Sequence, residues 1–140
     1  MFEFDALCRE YEKLSYDERR TMLTELADDI LPALKLVANG TESFETLVMA
    51  SCAADGKLSI EEYSLVKDAT GLDFSFDRVA AEIKAMNVKD IQEAANTVAD
   101  FLGKISADIK SEVVSFCLCI CSADSRVTLK EKKFIKKLLA

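Results

Sequence analysis

Hydrophobic residues recur along nearly the whole chain at the spacing of about 3.6 residues that indicates amphipathic α-helices. Helix start and stop signals bracket these segments, and none of them alternates as a strand does. We therefore predict an all-α fold: a single-domain helical bundle of about seven to eight helices over residues 1–140. The helices that the signals delimit cover 15–38, 42–54, 59–70, 75–86, 88–102, 107–123 and 129–140.

Particular residues define the predicted helix ends. Ser15 with Glu18, and Ser59 with Glu62, have the spacing of capping boxes. Pro32 lies inside the first predicted helix and is expected to kink or divide it. The remaining ends depend on capping residues and on glycines that stop a helix, namely Gly40, Thr41, Gly71, Ser75 and Gly103.

Two of the predicted helices, 44–54 and 113–123, are apolar on nearly every side. A helix at the surface keeps one polar face, so we expect these two at the centre of the bundle. Helix 88–102 is instead apolar on one face. The residues of that face that we expect to point inward are Ile91, Ala94, Ala95, Val98, Phe101 and Leu102.

The composition is that of an ordinary globular protein. Half of the residues are hydrophobic, with only four glycines and one proline, which excludes disorder and turn-rich β-sandwiches. The N-terminal residues lack a signal peptide, and the longest apolar run, 113–123, is shorter than the about 20 residues that cross a bilayer. We therefore expect a cytoplasmic protein without an integral membrane segment.

Negative charge is concentrated in the first half of the chain. Residues 1–70 carry 7 basic and 15 acidic side chains, whereas residues 71–140 carry 11 basic and 10 acidic ones. An acidic first half argues against nucleic-acid binding, which depends on neutralising phosphates. The charge is compatible with cations or with a basic protein partner that the sequence does not name.

Four of the five cysteines, Cys52, Cys117, Cys119 and Cys121, lie in apolar segments. This position favours reduced thiols in the core over the disulfides of a secreted protein. A metal or redox role is the alternative. It is the weaker one because Cys119 would point away from Cys117 and Cys121 on a helix, and the chain has no histidine.

An internal repeat appears when the sequence is shifted by 69 positions, which aligns residues 44–71 with residues 113–140 without a gap. Each copy has an apolar helix, an aspartate, a short turn, a hydroxyl residue and a glutamate three residues after it. Asp55 and Glu62 in the first copy correspond to Asp124 and Glu131 in the second. The repeat predicts a duplicated fold with approximate two-fold symmetry.

These repeated acids allow two interpretations. Ser59 with Glu62, and Thr128 with Glu131, form capping boxes, so both copies would keep them for structural reasons alone. Alternatively, the fold brings all four carboxylates of Asp55, Glu62, Asp124 and Glu131 together. Four such acids repel each other unless a cation or protons neutralise them. Oxygen ligands without histidine favour Ca²⁺, Mg²⁺ or Mn²⁺ over Zn²⁺.

The stretch AADGKLSIEE at 53–62 and the second Ala-Asp turn at 123–124 resemble the TerB-like domains, which are named for a tellurite-resistance protein. Related domains begin some membrane-anchored J-domain co-chaperones. The resemblance implies an internally duplicated helical bundle that binds a divalent metal through residues matching Asp55, Glu62, Asp124 and Glu131. It also implies a role in tellurite-resistance or stress-response complexes. The second copy departs from the family pattern in having Ser125 in place of glycine and a basic flank.

Catalysis is not expected. Without histidine, a general base would have to be a carboxylate, a lysine or a cysteine, and no cysteine is paired with a base along the chain. The sequence also lacks a Gly-rich phosphate loop and a zinc pattern. We therefore predict a non-enzymatic module. The alternative to cation binding is a protein–protein interaction scaffold in which the acids are only turns and caps.

The last predicted helix, LKEKKFIKKLLA at 129–140, is basic and amphipathic. Its apolar residues, including Phe134, Ile135 and Leu138, favour docking into the core. Its lysines would also suit peripheral contact with an anionic membrane or with an acidic partner. A homo-oligomer, in which this helix meets the acidic first half of a second copy, is a further hypothesis.

Overall fold

The chain folds as eight α-helices within the residues that the computed structural model describes, which are 2–34, 40–54, 59–71, 75–85 and 87–139. These ranges contain no strand, so the predicted all-α class is confirmed. The helices are α1 (Phe2–Glu12), α2 (Tyr16–Leu34), α3 (Gly40–Ala53), α4 (Ile60–Thr70), α5 (Phe76–Ala85), α6 (Val88–Ile105), α7 (Ala107–Cys121) and α8 (Leu129–Leu139).

Local capping explains several helix ends. Ser59 begins α4 with a complete capping box, and Gly71 ends it in the left-handed conformation, at φ 71°, while its N–H donates to the Lys67 carbonyl. Asn87 and Ser106 cap α6 and α7 through side-chain oxygens that accept backbone N–H groups. These ends follow from residues close in sequence. The Ser59 and Gly71 signals and the helix starts at 88 and 107 were predicted, whereas the caps Asn87 and Ser106 were not.

Helix α7 lies at the centre of the bundle. It packs against α1, α2, α3, α4, α6 and α8, and every side chain from Phe116 to Cys121 is buried. This confirms the central position predicted for 113–123. In α3, Leu47, Val48 and Ala50 are likewise buried. None of the described helices combines the length and the apolar character needed to cross a membrane.

The helices pack in a way that parallels the sequence repeat. Helix α4 spans 60–70 and α8 spans 129–139, so both bounds differ by the 69 positions of the repeat. Helix α2 packs against α3, α4 and α7, whereas α6 packs against α7, α8 and α3. If α2 is matched with α6, α3 with α7 and α4 with α8, then the helices that pack against α2 correspond to those that pack against α6. The duplication itself remains a prediction.

Several predicted boundaries were wrong. Helix α1 was not delimited by any start signal, although its Cys8 and Tyr11 are buried in the core. Gly40 is the first residue of α3, so Thr41 lies inside that helix and does not precede it as a cap. Gly103 does not stop α6, which continues to Ile105. A glycine inside a helix costs only about 1 kcal/mol relative to alanine, which tertiary packing can offset.

Two other predictions fail at the level of single residues. Phe101 and Ala94 are exposed, whereas Ala95, Ala99 and Leu102 form the buried stripe of α6. The helix is therefore rotated slightly from the predicted orientation. Of the two outcomes predicted for Pro32, division of the helix is wrong, because α2 continues through it to Leu34, and a kink stays a prediction. In α5, Val79 and Ile83 are buried, and Met86, which the helical spacing places on the same face, lies outside the described residues.

Candidate functional site

The structure describes three of the four acids predicted to bind a cation. Glu62 lies in the first turn of α4 and Glu131 in the first turn of α8, and both are buried, with 6% and 3% of their surface exposed. Asp124 lies in the turn after α7 and is exposed. Asp55 lies outside the described residues. We call Glu62, Glu131 and Asp124 the acidic centre.

Both glutamates complete capping boxes. The Ser59 N–H donates to Glu62 Oε1 at 2.9 Å, and the Glu62 N–H donates to Ser59 Oγ at 3.0 Å. In the second copy, the Thr128 N–H donates to Glu131 Oε1 at 2.9 Å, and the Glu131 N–H donates to Thr128 Oγ1 at 3.2 Å. Each glutamate therefore has a structural role at its own helix start, worth about 1 kcal/mol.

Burial and neighbouring acids act together on Glu62. Burial and, to a smaller extent, the negative charges of Glu131 and Asp124 raise the pKa of its carboxyl, whereas the hydrogen bonds from Ser59 lower it, and the net result is a pKa of about 8. The two glutamates are 69 positions apart in sequence, yet the fold brings them within electrostatic reach of each other. The acidic centre thus combines one glutamate from the first turn of α4 with one from the first turn of α8.

Two thiols lie beside the acidic centre, and sequence reasoning did not predict this. Burial raises the pKa of Cys52 and Cys121 well above its ordinary value, and the charges of Glu62 and Glu131 add to the effect. The thiols are therefore protonated at neutral pH, which disfavours both nucleophilic and metal-ligand chemistry. The Cys121 S–H donates to the Ser51 carbonyl at 3.7 Å. All five cysteines are free and buried, which agrees with the prediction for Cys52, Cys117, Cys119 and Cys121, whereas the burial of Cys8 was not predicted.

Arg19 is a second residue that sequence reasoning missed. It is 3% exposed, and its guanidinium donates from Nε to Ser122 Oγ at 3.1 Å and from Nη2 to the Tyr11 carbonyl at 2.8 Å. Burial lowers the pKa of Arg19, whereas the charge of Asp124 raises it. The helical spacing of the sequence contained a signal for this burial. Arg19 lies four positions before Leu23 and eight before Ala27, both of which α2 buries.

Helix α1 holds the turn that carries Asp124. Glu12 Oε2 accepts the backbone N–H of Val127 at 2.8 Å. Within the turn, the Ser125 N–H donates to the Ser122 carbonyl at 2.8 Å, and Ser125 adopts a positive φ of 66°. The position of Asp124 relative to α8 is therefore supported by contacts from α1 and α7.

The acidic centre offers hard oxygen donors, which suit Ca²⁺, Mg²⁺ or Mn²⁺. Within the described ranges, no three cysteine, aspartate or glutamate side chains are arranged as a preformed metal site.

Comparison of the chain with protein-family models, with curated proteins and with solved structures finds no match. The geometry of the described residues therefore has to carry any functional conclusion.

Proposed function

We propose that this protein is a non-enzymatic, TerB-like module that binds a divalent cation at the acidic centre, with Asp55 as a fourth ligand. The observation that carries the proposal is the placement of Glu62, a buried carboxyl, within reach of the charges of Glu131 and Asp124. A cation would offset this repulsion, whereas the alternative is protonation. The carboxylate donors favour Ca²⁺, Mg²⁺ or Mn²⁺ over Zn²⁺.

The acids would contribute in different ways. Glu62 and Glu131 each use Oε1 to accept the N–H of the capping residue, which orients the carboxylate. Asp124 is exposed, so it is the described acid that a cation arriving from solvent meets first. A divalent cation would neutralise the carboxylates and tie the start of α4 to the start of α8.

The test is thermal unfolding and calorimetry with Ca²⁺, Mg²⁺, Mn²⁺ and Zn²⁺. The key variant is Glu62→Gln/Glu131→Gln, because glutamine preserves a capping box while removing the charge. At a free cation concentration of 100 Kd, we expect the wild type to gain roughly 10 °C in Tm. The double variant should lose this gain, as should Asp55→Asn/Asp124→Asn.

The matched control is Glu61→Gln/Glu93→Gln, which removes the same charge at two exposed positions. This control should keep the full response to the cation. Identical melting with every ion in the wild type would overturn the proposal.

A second candidate function is a protein–protein interaction scaffold in which the acids act only as turns and caps. The two complete capping boxes favour it, because they give Glu62 and Glu131 a sufficient structural reason to be present. Under this alternative, added cations leave the Tm unchanged, and Glu62→Gln/Glu131→Gln changes stability equally with and without them.

The cellular setting that we propose is cytoplasmic, in stress or tellurite-resistance complexes, and it rests on the resemblance of 53–62 and 123–124 to the TerB-like motifs. Cells that lack the protein should then be more sensitive to tellurite. Complementation by the wild type but not by Glu62→Gln/Glu131→Gln would connect that sensitivity to the acidic centre. Equal growth of all strains on tellurite would contradict this setting.

A further inference from the structure

Helix α8 presents a face made almost entirely of lysine. Phe134, Ile135 and Leu138 face the core, and the acid of this helix, Glu131, is buried with them. The outward positions hold Lys130, Lys133, Lys136 and Lys137, all exposed, which we call the basic face. On a helix, these positions span an arc of about 120°, so their charges form one continuous surface.

The basic face is not neutralised by the described part of its own chain. None of its four lysines belongs to an ion pair found among the described residues. Among the described residues, the neighbouring Lys132 forms an ion pair with Asp5, at 3.9 Å. Lys136 lies over the ring of Phe4 at 5.4 Å, a contact that leaves its charge uncompensated. Leu129 and Leu139, at the two ends of the face, are 76% and 53% exposed.

Helix α2 has the opposite character. Its buried stripe runs from Arg19 to Leu34, and its outer side carries Asp17, Glu25, Asp28 and Asp29, all exposed, which we call the acidic face. The exposed base of α2 is Arg20, which lies 4.0 Å from Asp17. The acidic face is about 18 Å long at the 1.5 Å rise of an α-helix, and the basic face is about 10 Å long.

The two faces are held apart within one molecule. Both α2 and α8 pack against α7, but they do not pack extensively against each other. The bundle therefore fixes a strip of positive charge and a strip of negative charge on different parts of its surface. Complementary strips of this kind can meet between two molecules.

We propose that the basic face of α8 binds the acidic face of α2 on a second copy of this chain. Such a contact is heterologous, since two different surfaces meet, and each molecule of a dimer keeps one unused face that can bind a further copy. Exposed ion pairs are weak and are screened by salt, so the association is reversible and strongest at low ionic strength. The inference is independent of whether the acidic centre binds a cation.

The test is sedimentation velocity on the full chain over about 10–500 µM at low and at high salt. The wild type should show sedimentation coefficients that rise with concentration at low salt. The apparent affinity should fall at least tenfold at about 500 mM salt. A wild type that stays monomeric at every concentration in low salt would overturn the proposal.

Two variants each remove one face. Lys133→Gln/Lys137→Gln neutralises part of the basic face, and Glu25→Gln/Asp28→Asn neutralises part of the acidic face. Each alone should self-associate at least tenfold more weakly than the wild type. Because each retains the face that the other lacks, a mixture of the two should form a complex that stops at one copy of each. A mixture that stays monomeric would contradict the heterologous contact.

Matched controls change the same charges elsewhere. Lys84→Gln/Lys89→Gln and Asp90→Asn/Glu93→Gln alter exposed residues on α5 and α6, and both should associate like the wild type. Circular dichroism confirms that every variant is folded.

Co-sedimentation with anionic vesicles tests whether the basic face binds a membrane surface instead of a second copy. Vesicle binding that depends on Lys133 and Lys137, without self-association, would replace the second copy with a membrane surface.

Discussion

Glu62 shows how one residue can serve two opposing requirements. Its carboxylate accepts the Ser59 N–H, which favours the charged form, but its burial and the nearby charge of Glu131 favour the neutral form. Burial has the larger effect, since the pKa of Glu62 rises to about 8. The helix cap could be predicted from four consecutive residues, whereas the burial could not, because it depends on how residues distant in the sequence pack around the first turn of α4.

The raised pKa of Glu62 predicts how stability depends on pH in the absence of metal. In the unfolded chain this carboxyl titrates near pH 4.5, so its contribution is complete below that pH and is lost as pH rises through about 8. The loss in the free energy of unfolding is on the order of 5 kcal/mol. Glu62→Gln should flatten this slope and exceed the wild type in stability above pH 8.

Urea unfolding between pH 4.5 and pH 9 in the presence of a chelator measures this dependence. Glu61→Gln is the control, because Glu61 is exposed in the same turn of α4, and it should retain the wild-type slope. Equal slopes for Glu62→Gln and the wild type would refute the assignment.

Arg19 and Arg20 predict contrasting effects of the same substitution. Arg19→Met removes the donors to Ser122 Oγ and to the Tyr11 carbonyl, and it leaves that buried carbonyl without this partner. We expect a loss of about 2 kcal/mol in the free energy of unfolding. Arg20→Met should cost less than about 0.5 kcal/mol, since Arg20 is exposed and its ion pair is long. Chemical denaturation of both variants gives the comparison, and equal losses would contradict it.

At the scale of the helices, the turn between α7 and α8 has a serine where the first copy has glycine, and its backbone does not favour the serine. Ser125 adopts a φ of 66°, in the left-handed region that favours glycine. Its counterpart in the first copy, 69 positions earlier, is Gly56, which lies outside the described residues. A left-handed backbone at this point of the turn would be reason enough for the glycine of the first copy, without any cation.

Ser125→Gly should therefore stabilise the protein. Removing the Cβ relieves the cost of the left-handed conformation, and we expect a gain of about 1 kcal/mol in the free energy of unfolding. The control is Ser111→Gly, at an exposed position inside α7, which should lose about 1 kcal/mol because glycine disfavours helix. Urea denaturation distinguishes the two, and a destabilised Ser125→Gly would show that the serine side chain matters more than the backbone.

The helix boundaries show why sequence signals succeed at some ends and fail at others. The capping box at Ser59 and the left-handed glycine at Gly71 involve only neighbouring residues, and both were predicted. Gly103 was expected to end α6 and does not, because α7 and α8 pack against that helix. A weak local preference loses where tertiary contacts supply more free energy.

At the scale of the whole molecule, α7 organises the core. It packs against α1, α2, α3, α4, α6 and α8, and Leu118 in it has no exposed surface. Leu118→Ala should cost about 3–5 kcal/mol, through lost burial and the cavity that remains. Leu129→Ala makes the same chemical change at a position that is 76% exposed, and it should cost less than about 0.5 kcal/mol. Thermal unfolding checks both, and a small loss for Leu118→Ala would mean that α7 is not the centre of the core.

The sequence alone determined the helical class, the apolar central helix and the capping boxes, because periodicity and caps depend on residues within a few positions of each other. It also showed that an aspartate and a glutamate recur at matching positions of the two repeats, but not where these four acids lie in the fold. The tertiary structure decided that Glu62 and Glu131 are buried within reach of each other, that Arg19 is buried and that Phe101 is exposed. These outcomes depend on how whole helices rotate and pack, which sums contacts over residues far apart in the chain.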